Sequence, residues 1–276
     1  MLRISRTVLI GFAICLGAVG ALIVPSAQAQ GLASFGGGGD NPIEIYAEGG
    51  IEWQQDQLVF LARGNARAVR GTLEVFADEL RAYYRENAEG GSDIWRLDAI
   101  GNVRIASPGE QAFGDTATYD VDNQVLVLKG DGVRFVTAND VITAEKQIEY
   151  WELKQMAVAR GDAVAVREDR IINAEVLAAY FKKTAAGKTE VFRVDAFDNV
   201  EIETARDQAF ADRGVYNVES GIATLTGSVK IKRGANLLDG CSAQVNLNTG
   251  VSKLFSCRDG SKRVQGLIQA PSNKTE

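Results

Sequence analysis

The sequence predicts an all-β protein, an elongated stack of antiparallel strands with no significant helix. Two observations lead to this prediction. Short segments of alternating apolar and polar residues follow Gly, Asp or Asn turns along most of the chain, and a period of two is typical of half-buried strands. A long segment is also repeated without a gap, which is typical of folds that grow by stacking similar units in one dimension.

The repeat is clearest in two decapeptides. ARGNARAVRG at residues 62–71 returns as ARGDAVAVRE at 159–168, 97 positions later. The same offset aligns residues 45–130 with 142–227, and a partial third copy covers 237–268. Terminal units of stacked arrays are often incomplete in this way. We therefore expect each copy to contribute the same set of strands.

Within each copy a shorter pattern recurs, a turn residue followed by an alternating strand. We expect strands of about five to seven residues, the usual length in globular proteins. AEVLAAYF (174–181) could form a short helix, but its counterpart ADELRAYY (77–84) lies in the same strand-rich frame. The turn-and-strand pattern is found at GNARAV (64–69), GNVRI (101–105), GDGVRFV (130–136), GDAVAV (161–166), DNVEI (198–202) and GSVKI (227–231).

The chain divides into four segments. Residues 1–29 have a positive start, an apolar core and an Ala-Gln-Ala cleavage site, which predicts a secretory signal peptide and export. The alternative is an uncleaved membrane anchor. A Gly-rich flexible segment (30–41) follows, then one elongated β domain (42–268) and a polar tail (269–276).

Composition argues against several function classes. Without residues 1–29 the chain has 28 basic and 36 acidic residues, so nucleic acid is not an expected partner. The sequence has no histidine, which excludes His-based triads and His-ligated metals. We predict no catalytic residues, no metal and no cofactor. Paired carboxylates could serve a glycan hydrolase, but Asp98/Asp195 and Asp115/Asp212 recur with the repeat, which favours turn and strand-end roles.

Two cysteines follow the predicted signal peptide. Cys241 and Cys257 flank the turn signal NTG (248–250) symmetrically. If this segment is a hairpin, the two residues face each other and form a disulfide in an oxidising compartment. The alternative is a pair of packed thiols.

The apolar members of the alternating strands are candidates for the inner face of a lipid-binding groove. Repeated aliphatic and aromatic rows would shelter fatty chains without directional contacts, and each exposed methylene costs about 0.8 kcal/mol. The alternative for each residue is ordinary core packing. The candidates are Val103, Ile105, Phe113, Tyr119, Val133, Phe135, Val164, Val166, Val200, Ile202, Phe210, Tyr216, Val229 and Ile231.

A stacked array ends in unpaired strands, which can add to another sheet edge through main-chain hydrogen bonds. The first predicted strand contains Ile43 and Ile45, and the last contains Val264 and Leu267. We expect these four residues to contact partners. The alternative is that the Gly-rich segment folds over one edge.

Several segments of the chain, over about residues 43–267, resemble sequences of the OstA-like family of lipopolysaccharide transport proteins. The resemblance implies an open β-jellyroll, V-shaped in section, that shields lipid A acyl chains between two sheets. It also implies head-to-tail joining with an inner-membrane transport partner of the same fold and with an outer-membrane lipopolysaccharide insertase. The segments are DNPIEIYAEGGIEW (40–53), FLARGNARAV (60–69), LEVFADELRAYY (73–84), YDVDNQVLVLKGDGVRF (119–135) and YNVESGIATLTGSVKI (216–231).

The sequence therefore predicts a non-enzymatic periplasmic carrier that binds lipopolysaccharide, bridges the two membranes and takes part in outer-membrane assembly. Head-to-tail self-association is a further expectation. Two alternatives remain open at this point. One is a closed β-repeat protein that acts by strand addition without binding lipid, and the other is a secreted glycan hydrolase.

Overall fold

A computed structural model describes residues 42–185 and 189–269. In these ranges the chain forms one antiparallel sheet of 18 strands and a single 3-10 turn, Gln55–Gln57. The predicted signal peptide, the Gly-rich segment and residues 270–276 of the polar tail lie outside the described residues. Within the described ranges, no helix is long and apolar enough to cross a membrane.

Most strands pair with the next strand along the chain. Residues 174–181 lie in a strand. The bounds are β1 Glu44–Tyr46, β2 Ile51–Gln54, β3 Val59–Arg70, β4 Leu73–Glu86, β5 Ser92–Ser107, β6 Glu110–Asp120, β7 Val125–Lys129, β8 Val133–Thr137, β9 Asp140–Ala144, β10 Gln147–Trp151, β11 Met156–Arg167, β12 Arg170–Lys183, β13 Thr189–Glu203, β14 Asp207–Asn217, β15 Ile222–Arg233, β16 Asn236–Asn246, β17 Ser252–Phe255 and β18 Gln265–Leu267.

Most of the strands are longer than expected. β3 has 12 residues, β4 has 14 and β5 has 16, so the prediction of five to seven residues is wrong for them. Each long strand passes through a bulge, for example between Arg63 and Ala66 in β3. Bulges bend a strand. The turn-like Gly and Asn residues of the sequence therefore mark corners inside strands rather than strand ends.

The corners divide the sheet into two layers. β6 shows this directly, because Thr116–Asp120 pair with β7 whereas Glu110–Phe113 pair with the separate strand β8. We call the layer that contains β2, β7, β10 and β17 the first layer, and the layer that contains β1, β8, β9 and β18 the second layer. The long strands contribute one half to each.

Acidic side chains hold neighbouring corners together. Asp78 accepts a hydrogen bond from the side-chain amide of Asn102 (2.9 Å), and Asp115 accepts one from the backbone N–H of Asp131 (3.0 Å). Gly101 has a φ of +78° beside Asp78. The recurring acids therefore fix the bend of the strands, as the repeat suggested for Asp115.

The repeat is reproduced strand for strand. β3 and β11 begin and end 97 residues apart, as do β4 and β12, and β6 and β14. The short strands β1 and β2 start the first copy, and β9 and β10 occupy the equivalent place in the second. The junction between copies is thus made by β7 with β10 and by β8 with β9.

At this junction six strands close a ring of pairings, in the order β6, β7, β10, β11, β9, β8 and back to β6. The long strands β6 and β11, which cross the corner, therefore join the two layers on either side of the junction. The all-β antiparallel prediction is confirmed, whereas the pairings alone do not give an open section.

Candidate functional site

The inner face of the first layer carries a continuous apolar row. Directly paired residues on successive strands are large and small apolar residues, which lie about 5 Å apart across antiparallel strands. We call this the first-layer row: Ile51, Ala62, Leu80, Ala99, Ala117, Leu128, Ile148, Ala159, Leu177, Ala196, Gly214, Leu225, Ala243 and Leu254.

The second layer carries a matching row on the face that packs against the first. It runs from the first strand to the last without a polar side chain. We call this the second-layer row: Ile45, Ala68, Val75, Ile105, Ala112, Phe135, Ile142, Ala165, Ile172, Ile202, Ala209, Ile231, Leu238 and Gly266.

Burial away from the corners differs between the two copies. Beside the corner, Val229 is fully buried. Farther out on the inner faces, Ile202 and Tyr216 of the second copy are half-buried, whereas Ile105 and Tyr119 at the equivalent positions of the first copy are only 1% and 4% exposed. The side opposite the corners, which we call the mouth, therefore leaves apolar side chains partly accessible in the second copy.

A cavity of about 270 Å³ lies between the layers at the amino-terminal end. Ile43 and Ile45 line it from the second-layer side, and Phe60 and Leu97 line it from the first-layer side. Tyr119 also borders it. An apolar space between the layers thus lies next to β1 and β2, the strands that begin the array.

Few ionisable groups border the mouth. Tyr119 donates a hydrogen bond to the carboxylate of Glu152 (3.3 Å). Burial raises the pKa of Glu152 above its ordinary value, and the Tyr119 hydroxyl partly opposes this shift. Burial, with the negative charges of Glu152 and Glu110, raises the pKa of Tyr150 to about 12. Burial is thus the main cause of both pKa shifts at the junction.

Ten of the predicted groove residues lie on the inner faces. Val103, Ile105, Tyr119 and Val133 belong to the buried cluster of the first copy, with Phe135 packed against it. In the second copy the cluster includes Val200, Val229 and Ile231, with Ile202 packed against it. Tyr216 pairs with Val194 and Ala223 and shares the inner side of the first layer.

The groove prediction is wrong for Phe113, Val164, Val166 and Phe210. Successive side chains of a strand point to opposite faces, and their neighbours Ala112, Ala163 and Ala209 are the ones buried between the layers. On the outer face, the Arg134 guanidinium lies 4.6 Å from the Phe113 ring centre, and the Lys232 amino group lies 5.0 Å from that of Phe210.

Sequence reasoning missed the small members of the rows. Ala159, Ala196 and Gly214 line the space between the two layers, which we call the trough, as much as the larger residues do. A Cβ added to Gly214 would lie 3.3 Å from Leu225, so the close approach of side chains selects small residues here. Their recurrence in the repeat, as at Ala62 and Ala159, is a signal that could have identified them.

The recurring pair Asp98 and Asp195 lies within strands β5 and β13 and forms ion pairs, so the turn or strand-end role predicted for these two residues is wrong. Asp98 pairs with Arg96 (2.8 Å) and Asp195 pairs with Arg193 (2.6 Å), at equivalent positions of the two copies. Both aspartates are buried. In the described ranges, no group of three or more Cys, Asp or Glu side chains is arranged to hold a metal ion.

The four predicted partner contacts lie at the two ends of the array. Ile43 and Ile45 face the amino-terminal cavity, whereas Leu267 is 60% exposed and Val264 is 41% exposed at the carboxyl-terminal end. Cys241 and Cys257 form a disulfide with a Cα–Cα distance of 5.1 Å. This bond ties β16 to the segment that follows β17.

A model of the family described as LptA/(LptD N-terminal domain) LPS transport protein matches the chain twice, over residues 50–155 and 141–251. A protein of Rhizobium meliloti (strain 1021), described only as uncharacterized, is 29% identical over 133 residues, which are 45% of this chain and 71% of that protein.

Among solved structures, the chain is similar to LptH, described as the LptA homologous periplasmic component of the lipopolysaccharide transport device of Pseudomonas aeruginosa. The match has 11% identity and a TM-score of 0.21, and covers 83% of this chain and 96% of that one.

Proposed function

Because this chain belongs to the LptA/LptD N-terminal domain family of lipopolysaccharide transport proteins, we propose that it is a periplasmic, non-enzymatic carrier that binds lipopolysaccharide acyl chains between its two layers. The observation that carries the proposal is the pair of uninterrupted apolar rows that face each other from one end of the array to the other.

The rows suit a lipid that has to move along the protein. Each methylene of an acyl chain costs about 0.8 kcal/mol when it is exposed to water. A row of Leu, Ile and Ala side chains provides similar surroundings at every strand and no strong directional contact. An acyl chain can then shift by one strand spacing, about 5 Å, with little change in free energy.

Binding of a fluorescent fatty-acid probe tests the proposal. Ile202→Asp and Phe135→Asp place a charge on the half-buried part of the second-layer row, and we expect both to abolish saturable binding. Val164→Asp is the matched control, because Val164 is a half-buried aliphatic residue on the outer face. Normal binding by Ile202→Asp, or equal loss in Val164→Asp, would contradict the proposal.

A neutral variant distinguishes loss of probe binding from loss of folding. Ala179 lies on the half-buried inner face near the mouth, paired with Ala157 and Val194. Ala179→Trp fills this space without introducing a charge, so we expect weaker probe binding with an unchanged circular dichroism spectrum. If this variant binds the probe as strongly as the unmodified chain does, the probe does not bind between the layers.

The closed ring at the junction favours a second candidate. If the layers are sealed there by β7, β8, β9 and β10, the protein could act by strand addition alone, without lipid. Such a protein should show no saturable probe binding at all, so the same titration of the unmodified chain separates the two candidates.

We also propose that the ends of the array join other strands of the same fold. The junction between the two copies supports this proposal. At the junction β9 pairs with β8 and β10 pairs with β7. The equivalent strands of the first copy, β1 and β2, each pair on one side only within the described residues. The proposed partners are an inner-membrane component of the same fold, the outer-membrane lipopolysaccharide insertase and a second copy of this chain. Through these contacts the protein would bridge the membranes in outer-membrane assembly.

The disulfide agrees with the proposed location. Disulfides persist in oxidising compartments such as the periplasm, and residues 1–29 have the features of a secretory signal. Protease protection of the full chain in intact cells, lost after the outer membrane is permeabilised, would test this location.

A further inference from the structure

The outer face of the second layer carries alternating aromatic and cationic side chains in the first copy. Register places Tyr46, Arg67, Phe76, Arg104, Phe113 and Arg134 directly side by side on successive strands. We call this row the cation–aromatic ladder. It lies on the face opposite the trough and takes no part in the proposed acyl binding.

Each arginine of the ladder stacks on a ring. The Arg104 guanidinium lies 3.9 Å from the centre of the Phe76 ring, and that of Arg134 lies 4.6 Å from the Phe113 ring centre. Arg67 lies 5.6 Å from the Phe76 ring centre. Stacking holds each guanidinium flat on the sheet while its N–H groups stay available at the edge.

The positive charges of the ladder are only partly compensated. Glu74 pairs with Arg67 (2.7 Å), whereas in the described ranges neither Arg104 nor Arg134 belongs to an ion pair within 4.0 Å. The acids at the adjacent corner, Asp78 and Asp115, are hydrogen-bonded to Asn102 and to the N–H of Asp131. Alternate strands place the arginines about 10 Å apart.

The second copy shows that the repeat does not require this ladder. With the same offset of 97, Val164 takes the place of Arg67, Asn173 that of Phe76 and Glu201 that of Arg104. A positive row in a chain of net charge −6 is therefore a local feature of the first copy. Its charge is complementary to an anionic surface.

A mostly apolar row runs beside the ladder on the same outer face. Its members pair directly from strand to strand, and its polar members up to β12 are Glu44, Glu74 and Gln111. Arginine and aromatic residues next to short apolar side chains are typical of protein surfaces that lie in a membrane interface. The apolar members are Val69, Ala106, Val136, Val141, Val166 and Ile171.

We propose that this face docks on the anionic surface of a phospholipid bilayer, with the arginines of the ladder contacting phosphate groups. Each basic residue near such a surface strengthens binding by a factor of about five, and salt screens the attraction. The docking is independent of whether the trough holds lipid.

Vesicle co-sedimentation tests the inference with the full chain. We expect binding to vesicles of equal parts phosphatidylcholine and phosphatidylglycerol, weaker binding in high salt, and little binding to pure phosphatidylcholine. Arg104→Gln with Arg134→Gln should weaken the anionic binding by about 25-fold. Arg104→Lys with Arg134→Lys keeps the charges and should retain most of it.

Arg206→Gln with Arg213→Gln is the matched control, since it removes two exposed charges, one of which stacks on Phe197 at 5.8 Å. It should bind anionic vesicles normally. Equal binding to both vesicle types by the unmodified chain, full binding by the Gln ladder variant, or equal loss in the control would overturn the inference. Fatty-acid probe binding should be the same in all variants, so failure of docking and failure of the carrier proposal give different results.

Discussion

The carboxylate of Asp78 and the side-chain amide of Asn102 are joined by a hydrogen bond of 2.9 Å across the corner where β4 and β5 bend. The Asp78 carboxylate occupies the space next to Gly101, where a Cβ would lie 2.2 Å from its Oδ2. The bend of β5 thus depends on a residue without a side chain.

Gly101→Ala should lower the free energy of unfolding by more than about 2 kcal/mol, because a φ of +78° is costly for alanine and the added methyl group meets Asp78. Gly109→Ala is the control, since Gly109 has a φ of +85° with open space around it. Urea unfolding should show a clearly larger loss at Gly101. Similar losses in the two variants would mean that the Asp78 contact is unimportant.

Glu152→Gln should stabilise the protein at neutral pH. Burial raises the pKa of Glu152, so the folded protein holds this proton more tightly than the unfolded chain does. The free energy of unfolding therefore decreases as the pH rises through the range above the ordinary glutamate pKa, and is undiminished below it. Glutamine resembles the protonated form at every pH. Thermal unfolding should show the variant's advantage near pH 7 and none near pH 4.

Removal of the Cys241–Cys257 bond should lower stability by about 3 kcal/mol, because the disulfide closes a short loop and restricts the unfolded chain. The measurement is urea unfolding of the double Ser variant with and without reductant. Reductant should destabilise the unmodified protein and leave the variant unchanged. If reductant does not change the stability of the unmodified protein, the bond is absent in solution.

Charges at the amino-terminal end should block end-to-end association. Ile51 and Trp53 are 55% and 59% exposed on β2, which within the described residues pairs on one side only. Ile51→Lys with Trp53→Lys should therefore leave the monomer folded while repelling another sheet edge. Sedimentation velocity should then show a monomer at concentrations where the unmodified chain assembles. Val215→Lys, on the outer face away from either end, should assemble normally.

Alternation and the repeat were sufficient to predict an all-β antiparallel fold, because a period of two and a 97-residue offset are properties of local sequence. They were not sufficient to locate the strand ends. Gly64 with Asn65, and Gly101 with Asn102, have positive φ values and look like turns, yet the chain only bends there and continues to pair on both sides. Whether a turn residue ends a strand or bends it depends on neighbours that are distant in sequence.

The four wrong groove residues have a common cause. In the segments QAF (111–113 and 208–210) and AVAV (163–166), the larger residues were predicted to face inward. The space between the layers near the corner is narrow and holds Ala112, Ala163 and Ala209 instead. The larger residues are tolerated outside because Arg134 and Lys232 cover the Phe113 and Phe210 rings. Size alone therefore does not identify the inner face of a closely packed sheet pair.

The junction of the two copies has a consequence for the dimensions of the molecule. From β3 to β11 the first layer advances by six strand spacings, which amounts to about 29 Å for each copy. Since the join uses the same kind of pairing as the rest of the sheet, duplication of one gene segment lengthens the protein by a fixed step without any new type of contact. The distance that a single molecule can span is thus set by the number of copies of that segment in the chain.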